Sequence, residues 1–405
     1  MKTTKLGKTS LDIPAIALGV MRMGTRTPEE GAAAINAAYK AGVNFIDSAD
    51  IYGRGNSEKV FGKALKLADV NREDLFIQSK TGIVVGPNGS HGSLAYGSRY
   101  EFTKEHILDA VDGILKRMDI NYLDCLVLHR PDILMDLEGI KQAFDILQAT
   151  GKVRFFGVSN FNPAQFKMLQ NAVSQPLMFD QVQFGLMHTG MVDFGLHTNM
   201  TDDASINHDG SLLEFLRMNH ITLQAWSPFQ YGTFAGTFIN NPAFPELNKK
   251  LQEIGDKYSV GKNAVAAAWI LKWPGQVQVI MGTMTPAHIV DSAKGADIEL
   301  TNQEWYDLYF APVKKFHPSS LPKVYPEPSV QKLRLAQAAV RPRIERCEHP
   351  LIVHSELSLE YPAIKSLSHY RHCLLLLRVI RLSEFLPLSS QIPLAIQVRP
   401  APDFP

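Results

Sequence analysis

Short runs of apolar and β-branched residues recur along the first 300 positions of the chain. They are almost continuously apolar rather than alternating, which is typical of parallel strands that are buried on both faces. We therefore predict eight strands, which are Ala15–Leu18, Val43–Asp47, Leu75–Lys80, Leu123–His129, Arg154–Ser159, Phe179–Phe184, Ile221–Trp226 and Val277–Gly282.

Amphipathic stretches of helical length separate these runs. Pro28 opens one of them in the first turn and Gly42 stops it, and Thr103 is a candidate N-cap of another. The predicted helices are Pro28–Ala41, Thr103–Met118, Glu138–Thr150, Pro163–Val173, Ser211–Asn219 and Pro286–Lys294, with a further pair, Pro245–Lys257 and Lys262–Trp273, before the last strand. Strict alternation of strand and helix over this length predicts the α/β class and a closed (β/α)₈ TIM barrel.

The rival architecture is an open doubly wound sheet, which carries a glycine-rich phosphate turn after its first strand. Here GVMRMG follows the first strand, and the GRGNSE stretch at 53–58 lacks the third glycine of that turn. We therefore favour the barrel. Two apolar runs around GKTS, within residues 4–19, predict an N-terminal β-hairpin that closes the barrel bottom.

The composition changes after about residue 315. All 28 glycines lie at or before Gly295, and the remainder is rich in Pro, Ser, Leu, Arg and His without clear periodicity. A globular domain without glycine for its turns is unusual. We divide the chain into a barrel, 1–315, and an irregular C-terminal extension, 316–405, which is disordered, forms isolated helices near Ser329–Ala339, docks as a peptide, or is a translation or gene-model artefact.

Composition and charge narrow the class of partner. The net charge of +1 and the 45% hydrophobic content are those of an ordinary globular protein, and they favour neither nucleic acid nor a membrane surface. The three cysteines, Cys125, Cys347 and Cys373, match no disulfide or metal framework, which indicates a reducing compartment. The N-terminus lacks the apolar core of a signal peptide, so we expect a cytoplasmic protein.

Four polar residues stand at the carboxyl ends of consecutive predicted strands or just beyond them. Asp47 and Tyr52 follow the second strand, Lys80 ends the third and His129 ends the fourth. Singly, each is more often a cap or a structural group. Together they can converge, because the active sites of such barrels lie at the carboxyl ends of the strands.

These four groups suit the reduction of a carbonyl, which needs a hydride on carbon and a proton on oxygen. A tyrosine keeps its proton at neutral pH because its ordinary pKa is about 10. A neighbouring ammonium, Lys80, lowers that pKa, and Asp47 keeps the lysine charged. His129 can donate to the carbonyl oxygen and orient it.

The strings FIDSADIYG, SKTG, LHRPD, GKVRFFGVSNF, FDQVQF and AWSPF resemble the aldo-keto reductase family, in order from about Leu6 to Ala311. The chain is most similar to bacterial members of its monomeric oxidoreductase branch. The resemblance implies the barrel, a nicotinamide cofactor bound without a Rossmann fold, and a tetrad of Asp47, Tyr52, Lys80 and His129 with Tyr52 as general acid.

The resemblance also implies the cofactor contacts. Ser159, Asn160 and Gln181 would hold the carboxamide, for which amide side chains are suitable because they donate and accept at once. Trp226 would stack on the nicotinamide ring. The remaining contacts would be Met21 after the first strand, Ser227, Pro228 and Phe229 at the pyrophosphate, and Gly282, Thr283, Met284, Thr285, His288 and Asp291 around the adenosine.

The preference for NADP over NAD stays open in the sequence. Gly282 and His288 stand where the family frequently has a lysine and an arginine, and an arginine fork is the strong recogniser of phosphate. We expect NADP because members of the family commonly use it, and NAD is the alternative.

For the substrate we expect a small aldehyde or ketone in a pocket lined by apolar and aromatic groups. Met21 and Met23 and the loops 82–100, 184–209 and 229–238 would form its walls. The histidines of the second loop, His188, His197 and His208, lack the spacing of a metal site. We expect a monomer, and the alternative is a cofactor-sensing regulatory subunit of a larger assembly with little turnover.

Overall fold

The computed structural model describes residues 1–87, 89, 97–232 and 235–312. Its helices are α1 Pro28–Lys40, α2 Asn56–Leu67, α3 Lys104–Met118, α4 Leu137–Ala149, α5 Pro163–Ala172, α6 Gly190–Leu196, α7 Leu212–Met218, α8 Pro245–Tyr258, α9 Lys262–Leu271, α10 Pro286–Lys294 and α11 Asn302–Phe310. Its strands are β1 Thr3–Lys5, β2 Asp12–Pro14, β3 Ile16–Gly19, β4 Phe45–Asp47, β5 Phe76–Thr81, β6 Ile83–Val84, β7 Arg99–Tyr100, β8 Leu123–Leu128, β9 Val153–Ser159, β10 Leu177–Gln183, β11 Thr222–Trp226 and β12 Val277–Met281.

Within the described residues, eight parallel strands close into a barrel in the order β10-β11-β12-β3-β4-β5-β8-β9. Each of the eight predicted apolar runs overlaps one of these strands, with bounds that agree within two residues, so the predicted (β/α)₈ barrel is confirmed. The strands are buried on both faces because helices cover the outside and side chains fill the inside.

The N-terminal hairpin is also confirmed. β1 pairs with β2 antiparallel, with Thr4 opposite Ile13. The loop between them contacts the amino-terminal end of β11, where the Gly7 amide donates to the Thr222 hydroxyl at 2.8 Å and that hydroxyl donates to the Lys5 carbonyl at 2.7 Å. Leu6 is fully buried in an apolar cluster with Phe45 and other residues. The hairpin therefore closes the barrel at the end away from the carboxyl termini of the strands.

The predicted helices form within a few residues of their expected bounds. Capping boxes begin α1 at Thr27 and α5 at Asn162, which satisfies amide groups that the first helical turn leaves without partners. Among the described helices, α2, α6 and α11 were not predicted from the sequence. The predicted extension 316–405, with Cys347 and Cys373, lies outside the described residues, and so do parts of the loops 82–100 and 229–238.

Candidate active site

Asp47, Tyr52, Lys80 and His129 converge at the carboxyl end of the barrel. β4 ends at Asp47, β5 carries Lys80, and His129 directly follows β8. These three strands are neighbours in the barrel, which brings their carboxyl ends to one place. Tyr52 begins a short 3₁₀ turn after β4, and its ring lies edge-on to His129 with 6.0 Å between the ring centres.

Lys80 connects the other groups. Its Nζ lies 2.7 Å from Asp47 Oδ1 and donates to Asp47 Oδ2, to the Ser48 carbonyl at 2.8 Å and to the Tyr52 hydroxyl at 3.2 Å. The lysine side chain is completely buried. Burial acts to lower the pKa of Lys80, but the charges and hydrogen bonds of Asp47 and Tyr52 outweigh burial and raise it above the ordinary value. The ammonium form is therefore the stable one in this site.

The pKa of Tyr52 is also raised. Burial is the largest cause and raises it, the Lys80 charge acts to lower it, and the Asp47 charge raises it again. The predicted effect of Lys80 on the pKa of Tyr52 has the expected sign, but burial, which the prediction did not include, outweighs it. The phenol keeps its proton well beyond neutral pH, as a group that is to give up a proton only to a strongly basic oxygen should do.

A cavity of about 1370 Å³ opens above these groups. Asp47, Tyr52 and His129 lie in its wall, whereas Lys80 lies beneath it and contacts the wall through Asp47 and Tyr52. Of the predicted cofactor residues, the cavity is lined by Met21, Ser159, Asn160, Gln181, Trp226, Ser227, Pro228, Phe229, Gly282, Thr283, Met284, Thr285 and His288.

One side of the cavity is a network of amide and hydroxyl groups. Asn160 has a left-handed backbone, with a φ of 62°. Its Nδ2 donates to Ser159 Oγ at 2.8 Å and to the His129 carbonyl at 3.3 Å, and its Oδ1 accepts from Trp226 Nε1 at 3.1 Å. These bonds fix the half-buried indole ring of Trp226 at the cavity wall. The arrangement offers a polar edge and an aromatic face side by side, which fits a planar ring that carries a carboxamide.

Two predicted contacts lie elsewhere. Asp291 is not in the cavity wall; its Oδ1 accepts from the Gly261 amide at 2.8 Å, at the start of α9. Its adenine contact stays a prediction. Met23 is completely buried in the apolar core rather than facing the pocket, because the 3₁₀ turn Met21–Thr25 directs it inward. The prediction that Met23 walls the pocket was therefore wrong.

Arg22 was not predicted from the sequence as a site residue. Its Nη1 donates to the Gly282 carbonyl at 2.9 Å and would lie 2.8 Å from a Cβ at position 282. The guanidinium thus occupies the space that a side chain at 282 would take. No local pattern signals this contact, because the two residues meet only when β12 and β3 pair to close the barrel.

The pocket wall is more polar than the predicted apolar and aromatic lining. Met191, Ile239 and Phe229 contribute apolar surface, but charged and amide groups line it as well, among them Arg26, Arg130, Gln183, His188, His208 and Asp209.

Among the described residues there is no cluster of three histidine, cysteine or carboxylate side chains that could hold a metal ion. None of the helices in the described part of the chain is long and apolar enough to cross a membrane.

Comparison with known proteins is consistent with this geometry. The model of the aldo/keto reductase family matches residues 15–309. A 6-dehydroglucose reductase of Agrobacterium fabrum is 34% identical over 309 residues, which cover 75% of this chain and 96% of that protein. The oxidoreductase YdhF of Escherichia coli is 32% identical over 268 residues, which cover 66% of this chain and 82% of that protein.

A solved structure is similar as well. It is a thermostable aldo-keto reductase in complex with the inhibitor epalrestat, with a TM-score of 0.60 and 28% sequence identity. The match covers 77% of this chain and all of the other, so the likeness extends over the whole of that reductase.

Proposed function

The chain belongs to the aldo/keto reductase family, and we propose that it reduces a small aldehyde or ketone to the alcohol with a reduced nicotinamide nucleotide. The observation that carries the proposal is the contact of a buried ammonium, Lys80, with both a carboxylate and a phenol that faces a large cavity. This arrangement can deliver a proton to an oxygen atom in the cavity.

The roles of the four groups follow from their contacts. When bound, the reduced nicotinamide supplies the hydride to the carbonyl carbon. Tyr52 donates its proton to the carbonyl oxygen as negative charge develops there, and the Lys80 ammonium stabilises the tyrosinate that remains. His129, next to the phenol, orients the carbonyl oxygen.

The residues of the cavity wall suit the cofactor. Ser159, Asn160 and Gln181 would bind the carboxamide, and Trp226 would cover one face of the ring. Such a stack leaves the other face to the substrate, so hydride transfer would be stereospecific. Ser227, Pro228 and Phe229 would lie along the pyrophosphate, and Met21, which also lines the cavity, would be a further cofactor contact.

We propose NADPH as the preferred form. Gly282, Thr283, Met284, Thr285 and His288 lie at the amino end of α10, where a helix dipole and free amide groups favour a phosphate. Arg22 lies against Gly282 and offers the guanidinium that the sequence lacks at positions 282 and 288. Asp291 at the adenine completes the proposed set, and NADH is the alternative cofactor.

For the substrate we propose a polar, hydroxylated carbonyl compound such as a sugar aldehyde. The charged and amide groups of the pocket can bind hydroxyl groups, which the predicted apolar lining could not. The similar protein of Agrobacterium fabrum is named for reducing a dehydroglucose, which agrees in chemical class. We further propose a cytoplasmic monomer that acts on free small molecules.

Titration of the intrinsic fluorescence with NADPH and NADH, followed by a carbonyl panel with the tighter cofactor, tests the proposal. We expect NADPH to bind at least about tenfold more tightly, and sugar aldehydes to exceed unbranched alkanals of the same length in kcat/KM. The Arg22→Ala variant should lose most of the NADPH advantage while NADH binding changes little.

Tight binding of either cofactor with no turnover on any carbonyl would overturn the proposed reduction. It would favour the regulatory subunit that the sequence leaves open. Equal affinities for the two cofactors in both the wild type and Arg22→Ala would overturn only the NADPH preference.

A further inference from the structure

Four glutamine side chains of the described barrel form a polar layer inside it, which we call the glutamine layer: Gln78 on β5, Gln181 on β10, Gln224 on β11 and Gln278 on β12. Each is at most 2% exposed. The interior of such barrels is usually filled by branched apolar side chains. A buried amide is costly unless it is hydrogen-bonded, so a glutamine layer needs a physical reason.

The glutamine layer is a continuous hydrogen-bonded chain that begins at Asp47. Gln78 Nε2 donates to Asp47 Oδ1 at 2.6 Å and to Gln224 Oε1 at 3.0 Å. Gln224 Nε2 donates back to Gln78 Oε1 at 3.1 Å and onward to Gln278 Oε1 at 2.8 Å. Gln278 Nε2 ends the chain on the Pro14 carbonyl at 2.8 Å.

The two ends of the chain fix the orientation of every amide in it. A carboxylate only accepts, so Gln78 must direct its NH₂ group to Asp47; a backbone carbonyl only accepts, so Gln278 must direct its NH₂ group to Pro14. Gln224 then presents its oxygen to Gln78 and its nitrogen to Gln278. The orientation of each amide is therefore fixed, with Gln78 donating to the Asp47 carboxylate at one end of the chain and Gln278 donating to the Pro14 carbonyl at the other.

The fourth member reinforces the donation to Asp47. Gln181 Nε2 also donates to Asp47 Oδ1 and to Gln224 Oε1, both at 3.0 Å. Asp47 Oδ1 thus receives two amide donors in addition to the ammonium of Lys80. Donors to a carboxylate stabilise its charged form. Gln78 and Gln181 therefore fix the position of the Asp47 carboxylate at the cavity wall.

We propose that Gln78, oriented by Gln224, is a positioning residue that acts through Asp47. It holds the Asp47 carboxylate in the place from which that group pairs with the Lys80 ammonium beneath the phenol. This inference rests on the proposed function, because the reduction is what makes the charge on Lys80 matter. Gln78 does not line the cavity and touches neither substrate nor cofactor.

Gln278 provides a matched control for Gln78. It is buried in the same interior and bonded to the same neighbour, Gln224, but its own donor goes to Pro14 at the hairpin, away from Asp47. Replacing either residue by methionine removes amide hydrogen bonds from the layer while keeping the chain length. A purely structural layer would respond similarly to both changes.

The experiment measures the pH dependence of kcat/KM for carbonyl reduction by the wild type, Gln78→Met and Gln278→Met. We expect kcat of Gln78→Met to fall about tenfold and its basic limb to move to lower pH by at least about half a unit, because an Asp47 carboxylate that is no longer held against Lys80 stabilises the ammonium less. The cofactor dissociation constant should not change. Gln278→Met should lose about as much thermal stability as Gln78→Met, but its kcat/KM should keep the pH dependence of the wild type.

A second variant covers the case in which Gln78→Met does not fold. Gln78→Glu keeps the shape of the side chain. While the new carboxyl group is protonated, it can still donate a hydrogen bond to Asp47. Once it is ionised, it repels the Asp47 carboxylate. We expect its kcat to approach the wild-type value at low pH and to decline as the pH rises, whereas the wild type does not decline over that range.

An active wild type with unshifted profiles in both Gln78 variants, or the same shift in Gln278→Met, would overturn this inference alone. An inactive wild type that still binds cofactor would overturn the proposed function and this inference with it.

Discussion

At the scale of single residues, the phenol of Tyr52 is subject to opposing influences. Burial raises its pKa and the Lys80 charge acts to lower it, with a net rise. The effect of Lys80 on this pKa can be predicted from the sequence, because the lysine and its position at the end of a strand are read from the residues themselves. The sequence does not indicate the burial, which depends on how the residues around Tyr52 pack in the folded barrel.

Asp180 gives a prediction on pH and stability. This side chain on β10 is buried, its Oδ1 accepts from the Phe161 amide at 3.4 Å, and its Oδ2 has no hydrogen-bond partner among the described residues. Burial raises its pKa to about 8, while the amides of Phe161 and Asn160 act to lower it. The folded protein therefore binds a proton that the unfolded chain has released between about pH 4 and pH 8.

The wild type should accordingly lose stability relative to Asp180→Asn as the pH rises through that window. The loss is at most about 1.4 kcal/mol per pH unit and is complete above the folded pKa. Melting temperatures of both proteins at about pH 5 and pH 9 measure it. Asp12→Asn, which changes an exposed carboxylate, is the control. A difference between Asp180→Asn and wild type that is the same at both pH values would refute the prediction.

The candidate site could be predicted where each residue stands in a short, recognisable stretch at the end of a strand. Asp47, Tyr52, Lys80 and His129 follow from strand ends and residue types. Arg22 and the glutamine layer could not be predicted in this way. Their contacts join strands distant in sequence, and a lone glutamine in an apolar run has no periodic signature.

At the scale of elements, α2 shows what the sequence analysis overlooked. Three successive residues, Gly53, Arg54 and Gly55, have positive φ angles, and the helix begins directly after them at Asn56. The stretch 53–58 was considered only as a glycine-rich turn, so the helical spacing of Val60, Phe61 and Ala64, which follow it, was not recognised. α11 was missed although Thr301 and Glu304 form a capping box at its start.

The packing of α2 on α3 leads to a second prediction. A Cβ at Gly62 would lie 2.4 Å from the Met118 carbonyl oxygen, and backbone atoms cannot move aside cheaply. Gly62→Ala should therefore destabilise the protein by about 1–3 kcal/mol despite the better helix propensity of alanine. Urea unfolding measures the change.

Gly195→Ala in α6 is the matched control. There the nearest atom to a new Cβ is 3.9 Å away, so the substitution should be neutral or stabilise by up to about 1 kcal/mol. Equal effects at the two positions would show that the α2–α3 contact does not limit the fold.

The strands were the easier part of the fold to predict. Burial on both faces favours runs of mostly apolar residues, and most barrel strands show one, whereas β5, which reads FIQSKT, carries four buried polar residues. Helix α6 was missed because it is short and lies within a long connection, where its seven residues give too few turns for a periodic signal.

At the scale of the whole molecule, the barrel is complete within the described residues. α11 covers α9, with Trp305 stacked on Trp269 at 4.9 Å between ring centres and each indole donating to the other residue's carbonyl. We therefore predict that removing 316–405 leaves a folded, active enzyme with kcat/KM within about twofold of the full chain. Thermal unfolding and the reductase assay on both chains measure this.

The same two samples test the oligomeric state. Analytical ultracentrifugation should give a monomer for both chains. A truncated chain that fails to fold, or activity that requires a stable oligomer, would contradict the proposed division of the chain and its proposed monomeric state.

The most direct test of the account is the pairing of cofactor affinity with turnover in Tyr52→Phe. We predict that this variant binds NADPH about as tightly as the wild type, since the phenol oxygen is not a proposed cofactor contact, and loses at least about a thousandfold in kcat for carbonyl reduction. Wild-type turnover by a folded Tyr52→Phe protein would contradict it.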